Sequence, residues 1–178
     1  FSSRPWHKII KKNSDHHVFD FLSLFLLYLR SVVEVPSARF STLKSAVSCI
    51  QQLYHQTNPP AHIPEIRLVD NIHVKNWTSI HHSISIKGDP TNQTVITGAG
   101  FLIQPLNKKT TVALSHLKML STTAQGIFAS GDCSINLTNV IIESSGSSGI
   151  LVREQVNLSL RRCTIRKSRA MGLFVINS

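Results

Sequence analysis

One periodicity constrains this chain more than any other feature. The segments "VALSHLKMLSTTAQGIFA", "INLTNVIIESSGSSGILV" and "LSLRRCTIRKSRAMGLFV" begin at Val112, Ile135 and Leu158, each 23 residues from the next. In that register Leu114, Leu137 and Leu160 coincide, as do Leu117, Val140 and Cys163, and Met119, Ile142 and Ile165. A hydroxyl follows at Thr122, Ser145 and Ser168, then Gly126, Gly149 and Gly172, then Ile127, Ile150 and Leu173. Ala129, Val152 and Val175 close the unit. Hydrophobic class, hydroxyl and glycine hold together without a gap across three units. That is the mark of a solenoid, in which each unit buries its apolar face only by stacking on its neighbours.

The rhythm inside the unit separates helical from strand solenoids. Apolar residues fall at i and i+2, then after a step of three, then at i+2 again, which is period-two patterning broken by corners. Three short strands joined by corners make one rung of a parallel β-helix, with rungs about 4.8 Å apart and equivalent side chains stacked in ladders. The recurrent glycine is expected to take a φ > 0 corner or to permit close chain approach. Upstream, "HSISIKGDPTNQTVITGAGFLI" supplies Ile84, Ile86, Val95, Gly100, Phe101 and Ile103 in the same order with altered spacing. The loop "QPLNKKTT" separates it from the regular rungs, and "PEIRLVDNIHV" predicts a strand at about 66–69. In "FSTLKSAVSCIQQLYHQ", Leu43, Val47, Ile50 and Tyr54 are spaced for a helix over about 41–55, with Ser41 as its N-cap. Such a helix would plug the open end of the solenoid, as an exposed sheet edge needs.

The run "RFSTLKSAVSCI", "IRLVDNIHV", "SISIKGDPTNQTVITGAG" resembles the opening of right-handed parallel β-helix proteins of the pectin-lyase-like type. The resemblance covers residues 39–178 and implies a fold rather than a chemistry. Where that family carries a Gly-Xaa-Tyr loop, this chain has "VDNIHV" around Asp70, so nothing there supports a pectin esterase. The expected fold is therefore all-β, a right-handed parallel β-helix solenoid with 23-residue rungs and an N-terminal α-helical cap.

Two parts are expected: an appendage over 1–39 and the β-helix domain over 40–178, with rungs from about 66. The chain begins at Phe1 and stops at Ser178 after the third regular rung, which reads as a fragment of a longer protein. In the appendage, "VFDFLSLFLLYL" has the length of a signal-peptide apolar region, with Arg4, Lys8, Lys11 and Lys12 before it and "VPSA" after it. It is too short to span a bilayer, so no transmembrane segment is expected. "SSRPWHKII" resembles the end of an F-box helix, which implies a ubiquitin-ligase adaptor whose repeats bind substrate protein. An ordinary amphipathic helix packed on the solenoid is the third reading of this segment. Cys49, Cys133 and Cys163 are an odd number, and Cys163 at a ladder position reads as a small buried hydrophobe. The sequons at Asn76, Asn92, Asn136 and Asn157 exceed the roughly two expected by chance. They point to secretion, and Asn136 between inward Ile135 and Leu137 faces outward. Secreted and cytoplasmic locations both stay open.

Enzymes of this fold that act on acidic polysaccharides need clustered carboxylates and a nearby cation. The nine acidic residues here do not cluster. Glu143 lies one rung from Arg166, an expected cross-rung ion pair, and Asp132 and Glu154 come nearest to a carboxylate pair. His81 and His82, like His16 and His17, are sequence neighbours that would face opposite ways in a strand and could not share a metal. No catalytic constellation, metal site or cofactor is assigned.

Charge is the stronger signal. The net +10 divides into +3 over 1–39 and +7 over 40–178. Arg161, Arg162, Arg166, Lys167 and Arg169 gather on one rung, with Arg153 just before, and would attract an acidic polysaccharide or an acidic protein partner. No aromatic interleaving supports nucleic acid. The strands after each glycine, "FLI", "IFA", "ILV" and "LFV", also place Leu102, Phe128, Leu151 and Phe174 in an outward apolar column. A polar face is the norm there, so the column marks contact. The "FDFLSLFLLYL" segment folding back is the first candidate to cover it, then a partner chain, then sugar rings against Phe128 and Phe174. The expected function is a non-catalytic recognition module. A carbohydrate-active lyase, epimerase or hydrolase with its site on missing rungs is the alternative, beside the F-box-type adaptor.

Overall fold

The computed structural model of the chain describes residues 32–56, 62–106 and 109–176. The segments "SSRPWHKII" and "VFDFLSLFLLYL", with His16 and His17, lie outside the described residues. Among the described residues, fourteen strands and one helix follow in order: β1 (Val32–Val35), α1 (Leu43–Gln56), β2 (Glu65–Leu68), β3 (Ile72–Val74), β4 (Thr78–Ile80), β5 (Ile84–Lys87), β6 (Thr94–Gly98) and β7 (Phe101–Ile103). Then come β8 (Thr110–Leu120), β9 (Ile127–Ser130), β10 (Cys133–Glu143), β11 (Ile150–Arg153), β12 (Val156–Arg161), β13 (Thr164–Arg166) and β14 (Leu173–Ile176).

Among the described residues the strand pairings are all parallel, and they wind the chain into a β-solenoid of about five turns. One sheet runs β1-β2-β5-β8-β10-β12, with β3, β6 and β13 attached; the other runs β4-β7-β9-β11-β14. From β2 onward, strands consecutive in sequence do not pair, and each meets its equivalent one turn later. Val112 pairs with Ile135 and Ile135 with Leu158, while Leu114, Leu137 and Leu160 form one inward ladder. Ile127, Ile150 and Leu173 form another in the second sheet. Upstream the offset changes: Ile86 lies opposite Ile66 on one side and Leu114 on the other. The core between the sheets runs from Val33 and Ile66 through Ile86, Leu114 and Leu137 to Val152.

The step of three in the sequence has a backbone cause. His116, Asn139 and Arg162 stand at equivalent positions with φ of 56°, 54° and 55°. A left-handed residue inverts the alternation, so Ser115 and His116 both leave the core and inward packing resumes at Leu117. A second column of left-handed residues, Ser121, Ser144 and Lys167, closes the following corner. The recurrent glycine is not such a corner: no positive φ occurs at Gly100, Gly126, Gly149 or Gly172. Its role is close approach. A Cβ on Gly126 would lie 2.8 Å from the Gly149 carbonyl oxygen, and one on Gly149 2.7 Å from that of Gly172.

Helix α1 forms because Leu43, Ala46, Val47 and Ile50 make one apolar stripe, and all four are buried. It lies against β1, β3 and β4. The Gln51 side-chain amide donates to the Ser79 carbonyl at 2.7 Å and the Tyr54 hydroxyl to that of Ser83 at 2.8 Å. The expected cap at Ser41 is corrected by one residue. Thr42 Oγ1 accepts from the Ser45 amide at 3.1 Å, because an N-cap hydroxyl reaches the donor three residues on. Strand β1, within the 1–39 segment, pairs with β2 along its whole length. Cys163, expected in the core, is only half-buried, since among the described residues no strand pairs with β13 beyond it.

Candidate functional site

The last described turn carries five of the six predicted cations. Arg161 ends β12 on its outer face, opposite Thr138 of β10. Arg162 and Lys167 occupy the two left-handed corners on either side of β13. Arg166 ends β13 and Arg169 lies in the following loop. Arg153 is elsewhere: it ends β11 in the other sheet. With Arg153, the cations are thus distributed over both sheets and the corners beside β13.

Glu143 sets how much of this charge is available. It stands opposite Arg166 in the β10/β13 ladder, as expected for a cross-rung pair, and binds two cations rather than one. Lys167 Nζ donates to Oε1 and Arg166 Nη2 to Oε2, each at 2.8 Å. The Lys167 hydrogen bond, then that of Arg166, brings the Glu143 carboxyl from its ordinary 4.5 down to about 2. Among the described residues no carboxylate lies within ion-pair distance of Arg161, Arg162 or Arg169, and all three are exposed. Those three arginines carry uncompensated charge.

The apolar column is continuous in register, since Leu102 pairs with Phe128, Phe128 with Leu151, and Leu151 with Phe174. Its members are not equally open. Leu151 is 5% exposed between its two phenylalanine neighbours, Leu102 and Phe128 are half-buried, and Phe174 is 37% exposed. The Arg153 guanidinium sits 5.6 Å from the centre of the Phe128 ring, so this cation covers part of the column and joins the two predicted features.

A second basic element was not legible in the 23-residue register. Outward Arg67, Lys87, Ser115, Thr138 and Arg161 are successive partners on β2, β5, β8, β10 and β12. The alternation in "EIRL" and "ISIK" points Arg67 and Lys87 outward, but their offset from the later turns appears only in the pairing. At the Arg67 end, Glu65 binds Lys87 at 2.6 Å and Arg67 at 3.2 Å. Beside them Lys87, Gly88, Asp89 and His116 line a groove of about 580 Å³. Both carboxylates there are engaged by neighbours. Asp89 accepts from the Thr91 hydroxyl at 2.7 Å and amide at 2.8 Å, which lowers its pKa.

Asp132 and Glu154 line one shallow hollow of about 240 Å³ with Gly131 and Gln155. Among the described residues no group of three or more His, Cys, Asp or Glu side chains is placed to hold a metal. His81 and His82 diverge: His81 Nδ1 lies 2.7 Å from the Gln104 carbonyl, while buried His82 stacks on Tyr54 with ring centres 4.7 Å apart. No helix among the described residues is long and apolar enough to cross a membrane. No protein-family model, curated protein or solved structure matches the chain.

Proposed function

We propose that the solenoid is a right-handed parallel β-helix of the pectin-lyase-like type with 23-residue turns, capped by α1, and that its exterior is a non-catalytic recognition surface for a polyanion. An acidic polysaccharide is the first ligand class and an acidic segment of a protein partner the second. The observation that carries this reading is the unbalanced charge of the last described turn: Arg161, Arg162 and Arg169 are exposed with no carboxylate partner among the described residues, while Glu143 is occupied by Arg166 and Lys167. Exposed, unpaired guanidinium groups on a rigid frame attract polyanions over about a Debye length and grip carboxylates bidentately. Phe128, with Arg153 beside it, and Phe174 add flat apolar faces next to charge, a combination that suits sugar rings bearing carboxylates.

The test is binding of polygalacturonate and, separately, polyglutamate to the purified chain at two salt concentrations. The reading expects binding that weakens as salt rises and falls at least tenfold in the triple variant Arg161→Ala, Arg162→Ala, Arg169→Ala. Additional loss of the polysaccharide alone in Phe128→Ala would assign the sugar class. Binding that ignores both salt and the triple substitution would overturn the proposal.

A further inference from the structure

The six described asparagines divide by function. Asn71 and Asn139 are outside sequons and both are engaged by the fold: Asn71 Oδ1 accepts from the Val95 amide at 2.8 Å, and Asn139 holds a left-handed corner with Nδ2 3.5 Å from His116 Nδ1. Asn76, Asn92, Asn136 and Asn157 are all in sequons, all exposed, and none has a side-chain hydrogen-bond partner among the described residues. The amides that the fold leaves unused are thus the ones followed two residues later by a hydroxyl.

Asn136 and Asn157 stand apart from the other pair. Thr78 and Thr94, the hydroxyl residues of the other two sequons, are 1% and 3% exposed, and Thr94 Oγ1 accepts from the Asp89 amide at 3.0 Å. Thr138 is half-buried and Ser159 exposed. Asn136 and Asn157 also share the outer face of one sheet on adjacent strands. Asn136 has Ala113 and Ser159 as cross-strand partners, and Asn157 has Ser134. Their cross-strand partners on that face, Ala113, Ser134 and Ser159, are all small, which leaves space for a bulky group at either amide.

We propose that Asn136 and Asn157 are acceptors of N-linked glycans, which would coat the outer face of the β10/β12 pair. In the transfer, the carboxamide nitrogen bonds to the anomeric carbon of a lipid-pyrophosphate-linked oligosaccharide. The bond from that carbon to the pyrophosphate breaks, the lipid pyrophosphate leaves with the bonding pair, and the amide proton passes to a base of the transferase. The modification also places the folded domain in a lumenal or extracellular space, which separates it from a cytoplasmic adaptor.

The test is peptide mass spectrometry on the unaltered protein isolated from the cells that make it, with and without peptide-N-glycosidase. Glycopeptides that become aspartate at 136 and 157 after digestion are the expected result. In secreted preparations Asn136→Gln and Asn157→Gln should each remove one glycan from the intact mass; both side chains are exposed and unbonded, so neither change disturbs the core. Plain asparagine at both positions in the native protein overturns the proposal. This readout is a mass and does not depend on polyanion binding.

Discussion

At His116, Asn139 and Arg162 the backbone enters the left-handed region, which Asn and His tolerate better than most residues and Arg does not. The corner is imposed by the turns stacked against it, which is why no glycine marks it in the sequence. The repeated glycine was the more visible signal, and it reports contact distance instead of φ. These two roles predict opposite effects from opposite exchanges. Gly149→Ala places a methyl against the Gly172 carbonyl and the Ile165 side chain and should destabilise by about 1–3 kcal/mol. Glu154→Gly, at an exposed residue with φ 62°, should stabilise by about 0.5–1 kcal/mol. Urea midpoints of the two variants against the unaltered chain decide the matter, and equal signs would mean that the glycine and corner roles are misassigned.

At the scale of elements, the Glu143 carboxylate ties β13 and the corner after it to β10, through one partner visible in the sequence and one hidden. Arg166 was legible because it is 23 residues from Glu143; Lys167 was not, because a strand neighbour should face the other way and only its left-handed φ of 56° turns it back. The same physics explains the rest of the site. The apolar column could be read because alternation is local, whereas the Arg67 to Arg161 column needed the irregular offsets of β2 and β5. A depressed carboxyl stabilises the fold fully above its unfolded pKa, and that contribution is lost as pH falls through the folded value. The stability difference between the unaltered chain and Glu143→Gln should therefore be constant above about pH 5 and shrink as pH falls from the ordinary 4.5 toward about 2. Denaturant midpoints of both proteins across this range measure it; a difference independent of pH would show that the two bridges do not hold β13.

Across the whole molecule, the inward ladders were legible wherever the period is exact, and α1 and β2 wherever local patterning is strong. The pairing of β1 with β2 was not, since Val33 and Ile66 are joined across a helix and two loops with no repeat to count by. Where the repeat is exact, Cys133 lies opposite Val156, so the chain passes through equivalent points at these two residues. Within the regular turns, length is therefore a digital quantity, adjustable in whole steps, whereas upstream the loops absorb other offsets. Excising 133–155 joins Asp132 to Val156 and lays β12 directly on β8, with Leu114 against Leu160 and Leu120 against Arg166. The shortened chain should keep its strand circular dichroism and a cooperative melt at lower temperature. Excising 133–154 instead shifts every later side chain to the wrong face and should not fold. A gene for such a protein can gain or lose exact units and still encode a working frame, while a smaller change inside a strand is penalised at every position up to the next loop that can absorb it.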